Sequence, residues 1–147
     1  MQNKRFKPKI DKLFWIILIP TSILLLAFTA LSFLSPAALF IIIPVDLFTF
    51  YFLISPLFGY VELREISVFI KFGFMLKREI PYRTVRSIKK ERKIISESML
   101  SLKNSLDHVN IKYNAFDTVA VSVKDNDEFI SNLEERIKQL KMESAEN

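Results

Sequence analysis

Apolar and polar positions fall into three textures along this chain. From Leu13 to Leu34 no side chain is charged, and after Ser35-Pro36 a second apolar run extends from Ala37 to Ile54. The first run, about 22 residues, would span roughly 33 Å as a helix, enough to cross a hydrocarbon core. The second, about 18 residues, contains one acid, Asp46. An acid at mid-membrane costs roughly 3 kcal/mol, and each Leu, Ile, Phe or Val returns about 0.3–0.6. With Leu39 to Ile43, Val45, Leu47, Phe48, Phe50 and Phe52 to Ile54 on the other side, the apolar residues outweigh Asp46 even with Pro44 counted against them. The pattern predicts a two-helix transmembrane hairpin over 13–34 and 37–55. A signal peptide fits less well: the first run is long, no small-x-small pattern closes it, and a second run follows at once.

Beyond Gly59 the texture changes to short β-type runs. Tyr60 to Leu63, Ser67 to Phe72 and about Met75 to Ile80 are rich in β-branched and aromatic residues, with Gly73 marking a turn. Pro81 opens a short turn through Val85. Val85 to Ile95 alternates poorly, and its charges fit either a defended edge strand or a strand near anionic headgroups. Ser96 to Asn104 predicts a loop or irregular strand. Val109, Ile111 and Tyr113, then Val119, Val121 and Val123, predict a hairpin with one buried face.

The third texture is helical. Asp125 to Glu128 has the form of a capping box, and Phe129, Ile130, Leu133, Ile137 and Leu140 fall on one stripe behind it. Residues 142–147 should fray, and residues 1–12 read as a flexible basic tail.

Charge then orients the chain. The net charge is +5, and Lys4, Arg5, Lys7, Lys9 and Lys12 stand before the first run against Asp11 alone, while the turn between the runs has no Lys or Arg. The positive-inside bias places both termini in the cytoplasm of a multi-pass membrane protein. Phe14, Trp15, Tyr51, Phe52 and Tyr60 would form an aromatic belt at that face. Counting inward from Leu13 and from Ile54 puts Asp46 level with Pro20, Thr21 and Ser22. Asp46, protonated, would bond a Thr21 or Ser22 hydroxyl or the Ile16 carbonyl freed by Pro20, as a clasp between the helices. The alternative is a proton or ion ligand. The basic residues Lys77, Arg78, Lys89, Lys90, Arg92 and Lys93 are candidates for anionic-lipid contact, or form a solvated face.

Residue chemistry excludes much else. The chain has no cysteine and one histidine, His108, with no second histidine to join it, which speaks against a zinc-type metal site. Asp125, Asp127 and Glu128 lack the glycine of a calcium loop. Two glycines cannot make a phosphate-binding loop, and no Ser-His-acid set is visible. These features predict no enzyme, no cofactor, no metal, no nucleic acid and no small-molecule substrate. The partners expected are the lipid bilayer and a membrane or cytoplasmic protein, including a second copy of the chain.

Several strands closed by one C-terminal helix form the outline of a pleckstrin-homology (PH)-like domain. Gly73, Ile80-Pro81-Tyr82, Ser105-Leu106-Asp107, Ile111-Lys112-Tyr113, Val121-Ser122-Val123-Lys124, Phe129 and Leu133 together resemble the bacterial YyaB-like PH domain family over about Tyr60 to Lys141. His108 and Val123 depart from it, standing where that family tends to have Arg and Pro. The resemblance implies a membrane-anchored α+β protein: a transmembrane hairpin, then a PH-like antiparallel β-barrel or sandwich over 60–141 capped by the C-terminal α-helix. It implies structural roles for Gly73, Ile80, Pro81, Tyr82, Phe129 and Leu133, and no catalytic residue. The function expected is a binding, scaffold or oligomerisation module at the bacterial inner membrane. The alternatives are self-protection against membrane-active peptides, or an accessory role to a transporter or channel through Asp46.

Overall fold

The computed structural model of the protein describes residues 3–33, 36–74, 76–93, 100–102 and 105–143. Within them the chain opens on a strand, β1 (Lys4–Phe6), where a free tail is expected from sequence. β1 pairs antiparallel with the strand at Tyr60–Leu63, Phe6 opposite Val61. Three residues with one apolar side chain carry no periodicity, so tertiary packing decides here: Phe6 is buried and meets Phe129 edge-on, ring centroids 5.3 Å apart. The stretch after it stays on the domain, with Pro8 bridging Val123 and the Lys9 N–H donating to the Ser122 carbonyl.

Both apolar runs are helical: α1 (Lys12–Ser32) and α2 (Pro36–Ile54), each continuous through its proline, Pro20 or Pro44. The two helices pack on each other. The less exposed positions of α1 include Leu18, Ser22, Leu25, Thr29 and Ser32, beside Phe14 and Thr21; those of α2 include Leu39, Ile42, Asp46, Thr49 and Leu53, beside Tyr51 and Ile54. Spacings alternating between three and four residues are those of a heptad seam. Small and hydroxylated side chains on it let helices approach closely in an apolar surrounding.

A 3₁₀ turn, Ser55–Phe58, leads into β2 (Tyr60–Leu63), β3 (Ser67–Phe72) and β4 (Leu76–Pro81). With β1 they form an antiparallel sheet in the order β1-β2-β3-β4. After a second 3₁₀ turn, Tyr82–Thr84, come β5 (Val85–Arg92), β6 (Leu100–Leu102), β7 (Asp107–Tyr113) and β8 (Asp117–Val121). Their order is β5-β7-β8-β6, antiparallel except that β6 runs parallel to β8. The edge position expected for Val85–Ile95 is found for β5. Ile94 and Ile95, residues 96–99 and 103–104, and the end at 144–147 lie outside the described residues.

α3 (Asn126–Glu143) closes the two sheets. Its start is capped by Asp125, whose carboxylate accepts the Glu128 N–H at 2.9 Å. Glu128 does not complete the box; its carboxylate takes the Lys4 ammonium of β1 at 2.7 Å. Phe129 and Leu133 enter the core, with Ile130, Ile137 and Leu140 packed around it. Val61, Leu63, Val68 and Ile70 meet Val109, Ile111, Val119 and Val121 there, all fully or almost fully buried.

Tyr82 fills the core as expected, and its hydroxyl donates to the Arg64 carbonyl at 2.7 Å. Burial raises the Tyr82 phenol above its ordinary range, against the opposing charge of Arg136. Pro81 is the last residue of β4 and precedes the turn it was expected to begin within.

The β7–β8 hairpin differs from expectation in one respect: both faces are buried over part of its length. His108, Asn110, Ala120 and Ser122 face away from the valines yet are as enclosed as them. His108 takes an internal partner, the Leu106 carbonyl, through Nδ1, while among the described residues its Nε2, the Asn110 Oδ1 and the Ser122 Oγ are buried without a hydrogen-bond partner.

Candidate functional site

The two helices meet the domain at one end, and three segments gather there. The first is the passage from β1 into α1. Asp11, just before α1, accepts the Ser105 hydroxyl at 2.5 Å and the Leu106 N–H at 3.0 Å. Lys9 pairs with Asp107 at 3.1 Å. The second is the 3₁₀ turn after α2. The third is the β3–β4 turn, where Gly73 has φ +72° and lies directly beneath Ser55. Phe74, next in sequence, stacks on Phe58 at 4.5 Å and reaches Tyr51 of α2 at 5.9 Å. The helices are therefore attached to the domain where α1 begins and just after α2 ends, with Gly73 close against Ser55. A glycine suits both demands, a left-handed backbone and room for a neighbouring chain.

A polar cleft of about 590 Å³ opens beside the start of α1, lined by Lys9, Asp11, Lys90, Glu91, Arg92, Leu106 and Asp107. Its three cations face three carboxylates, so it presents no strong net charge. Burial works against the charge on Asp107, but the Lys9 ammonium, the Asn126 amide and the positive charge of Lys90 outweigh it and hold the carboxyl below its usual range. On the first sheet Glu79 is likewise lowered, by the Ser67 hydroxyl first and by Arg64, against a smaller opposing effect of burial.

The basic residues singled out by sequence are not brought together. Lys77 and Arg78 are on β4, Arg78 above the Tyr113 ring, while Lys89, Lys90, Arg92 and Lys93 follow β5. Lys90 is committed to Asp127 at 2.8 Å and Lys93 lies 3.6 Å from Glu91. Two cations that sequence reasoning did not single out sit at the helical end instead: Arg5, over the Tyr60 ring at 4.1 Å, and Lys71, over the same ring at 5.8 Å. Strand register is what places them there, and it is not written in local composition.

Asp46 has a different partner from those expected. The Thr29 hydroxyl contacts its carboxylate, whereas the Thr21 hydroxyl turns to the Ile17 carbonyl of its own helix. Ser22 lines the same groove as Asp46 without a bond to it. The Thr29–Asp46 contact sets a different helix register from the one that levels Ile54 with Leu13. Side chains also lean toward the N-terminus of their own helix, which moves the meeting point toward the turn. The heptad spacing Ser22, Thr29 is the signal that would have found it.

Among the described residues no group of three His, Asp or Glu side chains could hold a metal ion. No curated protein and no solved structure matches the chain. A family model described as bacterial PH domain matches residues 60–137, from β2 into α3 and over more than half of the chain. Two sheets closed by a C-terminal helix carry that match, and the chain belongs to the bacterial PH domain family.

Proposed function

We propose that this protein is a non-enzymatic, membrane-anchored PH module. The hairpin of α1 and α2 crosses the bacterial inner membrane twice, and both termini and the domain lie in the cytoplasm. The module offers a protein partner a binding or oligomerisation surface confined near the bilayer. Confinement raises the effective concentration of any partner in the same membrane.

The observation that carries this reading is α1. Phe14–Ser32 has a mean hydropathy of 2.3, and only Leu18 and Ser32 of that stretch are buried. Ile16, Ile17, Leu24, Leu26 and Phe28 stand more than half exposed, which water would not tolerate over such a length. α2 supports it: its apolar portion is shorter, Leu39–Tyr51, but it packs along α1.

The native chain has no cysteine, so single cysteines test the topology cleanly. In intact cells Ser35→Cys is expected to react with a membrane-impermeant maleimide, and Ser131→Cys to react only after permeabilisation. The reverse pattern would falsify the orientation, and release of the protein by alkaline carbonate would remove the anchor altogether.

The Thr29–Asp46 contact acts in this reading as an interhelical clasp. Such bonds are worth about 1 kcal/mol. Asp46→Asn keeps a hydrogen-bonding side chain and is expected to leave the hairpin unchanged in a detergent-unfolding titration, while Asp46→Ala shifts it by that amount. A collapse of both variants would assign Asp46 a larger role.

A further inference from the structure

Register sorts the outward side chains of the first sheet into rows. The row nearest the helices holds Tyr60, Lys71 and Lys77, directly opposite one another on β2, β3 and β4. The next row holds Arg5, Glu62, Phe69 and Glu79. Both acids of that second row are engaged, Glu62 by Arg5 and Arg64, and Glu79 by Arg64 and the Ser67 hydroxyl. Among the described residues neither Lys71 nor Lys77 has a carboxylate within 4 Å. Two ammonium groups directly across a strand pair repel and weaken the sheet. That row lacks an anion.

The described residues beyond it, Phe74 and Leu76, are apolar. Phe74 and Leu76 are about half exposed, and all four side chains from Leu76 to Glu79 are exposed, so this end of β4 projects past the core. Through Phe58 and Tyr51 the Phe74 ring is fixed at the level where α2 ends. The polar cleft beside α1 is the competing site, but its carboxylates equal its cations in number.

We infer that Lys71 and Lys77, with Phe74 and Leu76 beside them, form a binding site for the headgroup of an anionic phospholipid. The phosphate lies between the two ammonium groups, and Phe74 and Leu76 enter the boundary between headgroups and acyl chains. Lysine serves as a point charge toward phosphate, and aromatic rings favour that interfacial depth. This site rests on the anchored reading proposed above and gives it a ligand.

The test uses the full chain purified from mixed phosphatidylcholine and phosphatidylglycerol membranes, with retained lipid counted by mass spectrometry. Each lysine near a charged surface is worth about fivefold in anionic-lipid binding. Wild type is expected to retain phosphatidylglycerol in excess of its share of the bilayer. K71Q/K77Q is expected to lose most of that excess, and K138Q/K141Q on α3 to keep it. Equal enrichment in K71Q/K77Q and wild type overturns the site. A Trp15→Phe, Phe74→Trp protein places its only tryptophan at the tip, and brominated acyl chains should quench it; an unquenched, water-like emission overturns the placement of the tip. A carbonate wash of the same membranes separates the two readings. A chain that washes off defeats the anchor, whereas an integral chain with no preference for phosphatidylglycerol defeats only the lipid site.

Discussion

Phe6→Ala is expected to destabilise the domain by about 3–5 kcal/mol, the usual range for deleting a buried phenyl ring. Phe6 is 6% exposed and its ring meets the buried Phe129 edge-on, so the cavity would open between β1 and α3. Edge-to-face pairs add about 0.5–1.5 kcal/mol to simple burial. The same side chain fastens β1 to the sheet, and with β1 go the Lys4 bonds to Glu128 and Asn132 of α3. Pulse proteolysis across a urea series, with the full chain in detergent micelles, measures the change. Phe6→Leu keeps most of the volume and should cost less than half as much. A Phe6→Ala protein within about 1 kcal/mol of wild type would mean that β1 adds nothing to the core, against the burial argument.

The family match begins at Tyr60, yet the first sheet has a strand that precedes both helices. A chain cut to start at Tyr60 would leave β2 as a bare edge, with Val61, Leu63 and Phe129 uncovered on one side. The helices are thus an insertion between two strands of one sheet. Movement at either end of the hairpin is resisted by the domain itself, on one side by β1 and on the other by the Gly73 turn.

The elements most legible in the sequence were those whose signal is local and long. The apolar runs, the stripe Phe129, Leu133, Ile137 and the cap at Asp125 follow from spacing alone, because a helix repeats its burial every three to four residues. The β-runs up to Ile80 and the hairpin from Val109 to Val121 are likewise readable. What could not be read were features created by pairing: β1, the parallel β6, and the row of Lys71 and Lys77. Each depends on which strand lies beside which, and a three-residue strand such as Lys4–Phe6 carries no period of its own. Pairing also splits the basic pairs. Adjacent lysines on a strand point to opposite faces, so Lys89 and Lys90 cannot act as one patch, whereas Lys71 and Lys77, six residues apart, can.

Gly73→Ala is expected to damage the joint between helices and domain severely. Two costs coincide there. An L-residue at φ +72° pays roughly 1–2 kcal/mol for a left-handed backbone. The new Cβ would also fall on the Ser55 hydroxyl, 2.7 Å from its Cβ and 2.8 Å from its carbonyl oxygen. Crowding of this kind in a packed site typically adds about 1–3 kcal/mol. Companion variants separate the two. Gly73→Asn relieves the backbone, since asparagine tolerates this conformation, but keeps the overlap. Ser55→Gly removes the side-chain part of the overlap and should restore some of the loss when combined with Gly73→Ala. A coupling between the two sites is the expected result of that double-mutant cycle, read by proteolysis and by quenching of a tryptophan at position 74. Strict additivity would mean that Gly73 does not lie under Ser55, and the closed joint between the helical hairpin and the β3–β4 tip would have to be abandoned.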